Sequence, residues 1–283
     1  MKRLLRRNSL ASGGAFLFAS LLAVPGVAAR GAALRWIVAS SGLERLKTTP
    51  HPAGLLRQAF DYPGTWVIVD PHPPAWLESW QCRRVLDFSS YAEMRKRLGR
   101  PKGVWGVLYD PENWPFTPLV ERRDVPAYAA QAARLVHSRG LQLIVTPGTD
   151  LVHALLPRPG NPYRAFVRLG LARRIAPAAD VYEIQSQGAQ TQPGLFAWYV
   201  AQEVSEIRAA NPHAMILAGL STNAHGLRVT ARQMFREVLA THHLVQGYWL
   251  NVPQGGPYCP TCGRAQPKVA IRLLEMLRAK GLN

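Results

Sequence analysis

The sequence predicts a single (β/α)8 barrel, a TIM-type α/β fold, behind an N-terminal export signal. Three observations predict it. Eight short apolar runs alternate with helical segments over about 250 residues, the usual length of such a barrel. Most of these runs begin apolar and end in polar groups, as expected where chemistry gathers at one end of a ring of parallel strands. No GxGxxG or P-loop follows the first run, which argues against an open doubly wound sheet. With 283 residues and 48% hydrophobic content the chain can bury one sizeable core, and no break in composition divides it.

Residues 1–29 read as the signal. Lys2, Arg3, Arg6 and Arg7 form a basic start, an apolar stretch covers 15–24, and Val27-Ala28-Ala29 is a small-residue cleavage site. The apolar stretch is short for a membrane span and is followed by Pro25-Gly26. Arg6-Arg7-Asn8-Ser9-Leu10 has a twin-arginine pattern, with Ser9 where a bulky apolar residue is usual. The expected location is extracellular or at the cell envelope.

The barrel domain is expected over 34–283. Strands fall at 34–40, 65–70, 84–89, 105–112, 141–147, 180–187, 214–221 and 245–251. The clearest helices cover 125–138, 162–175, 195–209, 230–240 and 267–279, with shorter ones at 53–59, 74–81 and 91–98. Asp124 and Thr230 stand as N-caps, Gly140 follows one helix and Asn211-Pro212 another.

The formal charge is +17; residues 1–29 hold four of the 34 basic residues and none of the 17 acidic ones, leaving +13. Such a balance favours an electrostatic association with an anionic cell envelope. Clusters such as Arg95-Lys96-Arg97 and Arg173-Arg174 also read simply as solvated helix faces. An exported chain without a recognition motif is not expected to bind nucleic acid. Cys259 and Cys262 form a CxxC pair that reads as a local disulfide, since zinc would need two further ligands; Cys82 reads as a buried free thiol. No metal or other cofactor is expected: there is no HExxH, and no GxSxG elbow for a serine nucleophile.

The strand ends hold the candidate site. They carry Asp70, then Asp87 and Ser89, Asp110 and Glu112, Thr146, Glu183 with Gln185 and Gln187, Ser221 and Asn223, and Trp249 and Asn251. On the fourth strand Gly106, Leu108, Asp110 and Glu112 alternate onto one face, with Val107 and Tyr109 on the other. Two close carboxyls resist ionising together, so one is expected to hold a proton and can serve as a general acid. Glu112 is the candidate acid and Asp110 its tuning partner; the bland alternative is a turn with a capping acid. Glu183 is the candidate second carboxylate, or else a buried glutamate paired with an arginine. Asp70, Gln185, Gln187, Asn223 and Asn251 could bind sugar hydroxyls, and Trp114 and Trp249 could floor a sugar ring or simply pack.

The stretch from Gly106 through Asp110-Pro111-Glu112-Asn113-Trp114-Pro115 resembles the strand-four signature of the chitinase-like glycoside hydrolases, and Trp249 resembles their strand-eight tryptophan. The resemblance implies Glu112 as proton donor, Asp110 orienting an acetamido group that acts as nucleophile, and Trp249 under the sugar. Earlier acidic positions of that family's motif are apolar residues and Gly106 here, and the broader resemblance is to the glycoside-hydrolase barrel superfamily. The expected protein is an exported glycosidase acting on a carbohydrate. The alternatives are a catalytically silent glycan-binding barrel and a non-sugar hydrolase such as a phosphodiesterase, for which Asp70 and His72 would matter.

Overall fold

In a computed structural model of the chain, residues 33–70, 73–192, 194–257 and 259–282 are described. The signal expected over 1–29 and His72 lie outside the described residues. Eight parallel strands close into a barrel in chain order: β1 (Arg35–Ala39), β2 (Thr65–Ile68), β3 (Arg83–Phe88), β4 (Gly106–Tyr109), β5 (Gln142–Val145), β6 (Val181–Ile184), β7 (Met215–Ser221) and β8 (Gly247–Asn251). The ring is sealed where Arg35, Trp36 and Ile37 pair with Gly247, Tyr248 and Trp249.

The strands obey the period of two. Ile37, Trp66, Val85, Leu108, Ile144, Val181, Leu217 and Trp249 fill the barrel interior as one cluster. Their neighbours, such as Trp36, Val107, Tyr109 and Tyr182, join the larger apolar layer between barrel and helices. Leu108 therefore points inward while Val107 and Tyr109 pack under the helices, and Asp110 continues the inward face of β4.

The outer layer comprises α1 (Ser40–Lys47), α2 (Leu55–Phe60), α3 (Tyr91–Arg97), α4 (Leu119–Arg123), α5 (Val125–His137), α6 (Val152–Leu155), α7 (Pro162–Arg168), α8 (Leu171–Ile175), α9 (Leu195–Ala210), α10 (Ala231–Thr241) and α11 (Pro267–Lys280). The Asp124 side chain accepts from Ala127 N, and Thr230 forms a reciprocal capping box with Gln233. Asn211 Nδ2 donates to the carbonyls of Ala176 and Ala179, tying the end of α9 to the turn before β6.

Several expectations are corrected. The helix expected over 162–175 breaks into α7 and α8 at Gly170, whose φ of 59° is left-handed. The short helical piece expected over 74–81 is a 3-10 turn (Ala75–Ser79). Helix α1 was not expected: it follows β1 directly and has no side-chain cap. Cys82 is a free thiol but only half-buried; burial and Asp61 push it up to about 11. Cys259 and Cys262 are joined in a disulfide between β8 and α11.

Candidate active site

Strand β4 stops at Tyr109 because Pro111 has no N–H with which to extend the ladder. Pairing still reaches one residue further, with Asp110 N donating to Phe88 O at 3.0 Å. On the next strand Thr146 N donates to Tyr109 O at 2.9 Å, setting Thr146 beside Asp110. Its hydroxyl donates to Asp110 Oδ1 at 2.7 Å. Gln185, just past β6, reaches the same place from a third element. Its Nε2 lies 2.7 Å from Asp110 Oδ1, 3.0 Å from Thr146 O and 3.2 Å from Glu112 Oε1. The structure thus brings Asp110, Glu112 and Gln185 together at the C-terminal end of the barrel.

That amide nitrogen has two hydrogens and three acceptors. Asp110 takes short bonds from both Thr146 and Gln185, whereas Glu112 has a share of the longest one. Of the two, Asp110 is better equipped to carry a charge and Glu112 to carry a proton. Burial, then Asp110 and Asp150, raise the Glu112 carboxyl well above its ordinary range, against the Gln185 hydrogen bond. Asp110 is raised by burial and by Asp87, with the Thr146 and Gln185 bonds opposing. Asp87 is exposed at the mouth. Dehydration by the protein around it, followed by Glu93 and Glu112, raises its carboxyl above the ordinary value.

The Glu112 backbone is fixed by Thr117, which is fully buried. Thr117 Oγ1 accepts from Glu112 N at 3.2 Å and Trp114 Nε1 at 2.9 Å, and donates to Ser89 O at 2.7 Å. Trp114 is half-buried and packs edge-to-face on Phe116 at 5.1 Å. Arg122 Nη1 donates to Asn113 Oδ1 at 2.8 Å, bracing the same loop from α4.

Glu183 lies deeper, with no exposed surface, and neither carboxyl oxygen has a hydrogen-bond partner among the described residues. The expected alternative of an arginine partner is therefore not what the structure holds. Burial, then Asp110 and Glu112, drive its pKa well up, so its charged form is disfavoured there. Its Oε1 and the Gln187 amide crowd the face of Gly219, where a methyl group would stand 2.5 Å from that oxygen.

The remaining candidates are spread more widely. Asp70 is exposed beyond β2, and Asn251 is half-buried at the end of β8. Trp249 belongs to the interior cluster, with its Nε1 buried and unpartnered among the described residues. Asn223 is committed elsewhere: Nδ2 donates to Cys262 O at 2.8 Å, with Pro253 O and Arg264 O both at 3.4 Å. It brackets the disulfide loop rather than offering an open amide. Sequence reasoning missed Asp150, whose Oδ1 accepts from Asn113 N at 3.0 Å. It also missed Thr117, Tyr163 and His225, the last at a φ of 50°. An acid four residues past Thr146 was a signal available in the sequence.

Among the described residues no group of three or more His, Cys, Asp or Glu side chains could hold a metal ion. A cavity of about 330 Å3 lined by Lys47, His51, Arg57, Trp76 and Trp80 shares no residue with the strand ends. It holds no carboxyl, so the mouth is the better candidate for acid/base chemistry.

No protein-family model matches this chain. No curated protein matches it either. Solved structures do match in shape. A triosephosphate isomerase from Bartonella henselae is 13% identical with a TM-score of 0.43, over 86% of this chain and 99% of that one. PhdJ bound to a substrate intermediate is 11% identical with a TM-score of 0.41, over 88% and 72%. The PgaB (BpsB) glycoside hydrolase domain from Bordetella bronchiseptica is 10% identical with a TM-score of 0.40, over 77% and 93%. None of these is similar enough to lend this chain a function.

Proposed function

We propose that the barrel is a glycoside hydrolase acting on a polysaccharide or envelope glycan. Glu112 protonates the leaving oxygen, and Asp110, as the anion, stabilises the oxocarbenium-like centre or orients a substrate acetamido group against it. The observation that supports this is the single Gln185 nitrogen shared by both carboxyls at the barrel mouth, with unequal hydrogen bonding to the two. That inequality separates an acid from an anion within one site. Glu183, enclosed and with neither oxygen partnered among the described residues, serves as a polar floor rather than as the nucleophile. The signal over 1–29 and the +13 balance of the rest suit work beside an anionic envelope.

Because Asp110 Oδ1 and Glu112 Oε1 share one nitrogen, they lie within about 6 Å of each other. That upper bound is below the roughly 6.5–9.5 Å that an inverting water requires and leaves the retaining arrangement open. The expected product keeps its anomeric configuration, read by proton NMR in the first minutes of hydrolysis of a panel of bacterial envelope glycans. Glu112→Gln should lower turnover by about 100-fold or more while the circular dichroism spectrum is unchanged. Full activity in that variant would falsify the assignment.

A further inference from the structure

We propose that Asp150, in the loop after β5, is a positioning residue for Glu112: a fixed negative wall against which the acid is set. This rests on reading Glu112 as the proton donor. The loops after β4 and β5 are joined on either side of that glutamate. Gly148 N donates to Pro111 O at 2.9 Å, and Asn113 N donates to Asp150 Oδ1 at 3.0 Å. The residues before and after Glu112 are thus both held by the β5 loop, and its own N–H is held by Thr117.

Between these two ties lies Gly148, at φ −63° and ψ 136°, a conformation open to any residue. Space rather than backbone is what glycine provides here. A methyl group at 148 would stand 2.6 Å from Asp150 Oδ1, 3.0 Å from Glu112 Cγ and 3.3 Å from Glu112 Cα. The Asp150 and Glu112 side chains close over the place a larger residue would fill, which puts Asp150 Oδ1 within about 6 Å of Glu112 Cγ.

The two carboxyls are not equivalent. Burial raises the Asp150 carboxyl above its ordinary value, opposed by the Asn113 N–H that it accepts and by His153 and His225. Tyr163 closes the same side, its hydroxyl 2.4 Å from where a methyl group on Gly188 would sit. Glu112 faces Asp110, Asp150 and Asp87, with Glu183 beneath and only the Gln185 amide in its favour. An anion at Asp150 therefore disfavours ionisation of Glu112 and holds it as the acid.

The test is a titration of the full chain, labelled with carboxyl-13C glutamate, with the Glu112 signal assigned by its loss in Glu112→Gln. In Asp150→Asn the Glu112 midpoint should fall by about one pH unit or more, and the alkaline limb of any pH–rate profile should move down with it. Asp150→Ser, which also removes the charge, should shift the midpoint in the same direction and serves if Asp150→Asn does not fold. A merely structural Asp150 would lower the melting temperature and leave the midpoint in place, and that outcome overturns the proposal. A shifted midpoint in a protein that hydrolyses no glycan keeps Asp150 as the positioning group and removes the glycosidase reading. Hydrolysis that needs Glu112, with the midpoint unmoved in both variants, does the reverse.

Discussion

Gln185 shows how one neutral side chain can organise charged ones. Its amide meets Asp110, Glu112 and the Thr146 carbonyl at distances no longer than 3.2 Å. By donating to carboxylates it favours their ionised forms, so its removal should raise the midpoints of both. Gln185→Leu is expected to shift the Asp110–Glu112 pair upward in the carboxyl titration and to lower turnover at least tenfold, since Asp110 would then be harder to ionise. Asp110 and Glu112 were legible in the sequence because they continue the inward alternation of β4 past its end, and Gln185 because it does the same for β6. For Asp150 the sequence offers an acid just past a strand end but not its place beside Glu112, because its loop's course is set by contacts with another loop, not by periodicity. Asn223 misled for a related reason, because an amide beyond a strand end can serve a neighbouring loop as readily as a ligand.

At the scale of elements, the loop after β4 does most to shape the site. Thr117 is its hinge pin, holding Glu112, Trp114 and Ser89 with one hydroxyl. Thr117→Val keeps the shape and deletes the hydroxyl, leaving two donors and one acceptor to find other partners. It should cost about 1–3 kcal/mol in urea denaturation and reduce turnover more than substrate binding, since the acid loses its backbone anchor. The strands were legible from short apolar runs with polar ends, and the capped helices from Asp124 and Thr230. Helices α1, α4 and α6 escaped notice because they are short, follow other elements closely and lack side-chain caps. The Glu121 carboxylate on α4 takes the N–H groups of Tyr91 and Ala92 and the Tyr109 hydroxyl, so even that short helix is tied to β4 and to the start of α3.

Across the whole molecule, buried carboxyls without charge partners recur. Glu203 on α9 has no exposed surface and no hydrogen-bond partner among the described residues for either oxygen, and burial raises it well above its ordinary value. Asp110, Glu112 and Glu183 are raised as well. A carboxyl whose folded pKa lies above its unfolded one binds more protons in the folded state, so stability falls as pH rises above the unfolded value and levels off only above the folded one. The melting temperature should therefore be higher near pH 5 than near pH 8. Glu203→Gln, far from the proposed chemistry, should reduce that slope and raise stability at pH 8 by about 1 kcal/mol or more, with no change in turnover. Thermal melts across this range check both.

The seam of the barrel carries a consequence for how the chain assembles in time. The first strand finds one of its two neighbours in the last, with Arg35 opposite Gly247 and Ile37 opposite Trp249. Until residues near 250 have been synthesised, β1 and β7 each present an unpaired edge, and the interior lacks the Trp249 indole. Nascent or truncated chains ending before β8 are therefore open sheets prone to join one another edge to edge, and the final ring forms by a slow, long-range closure.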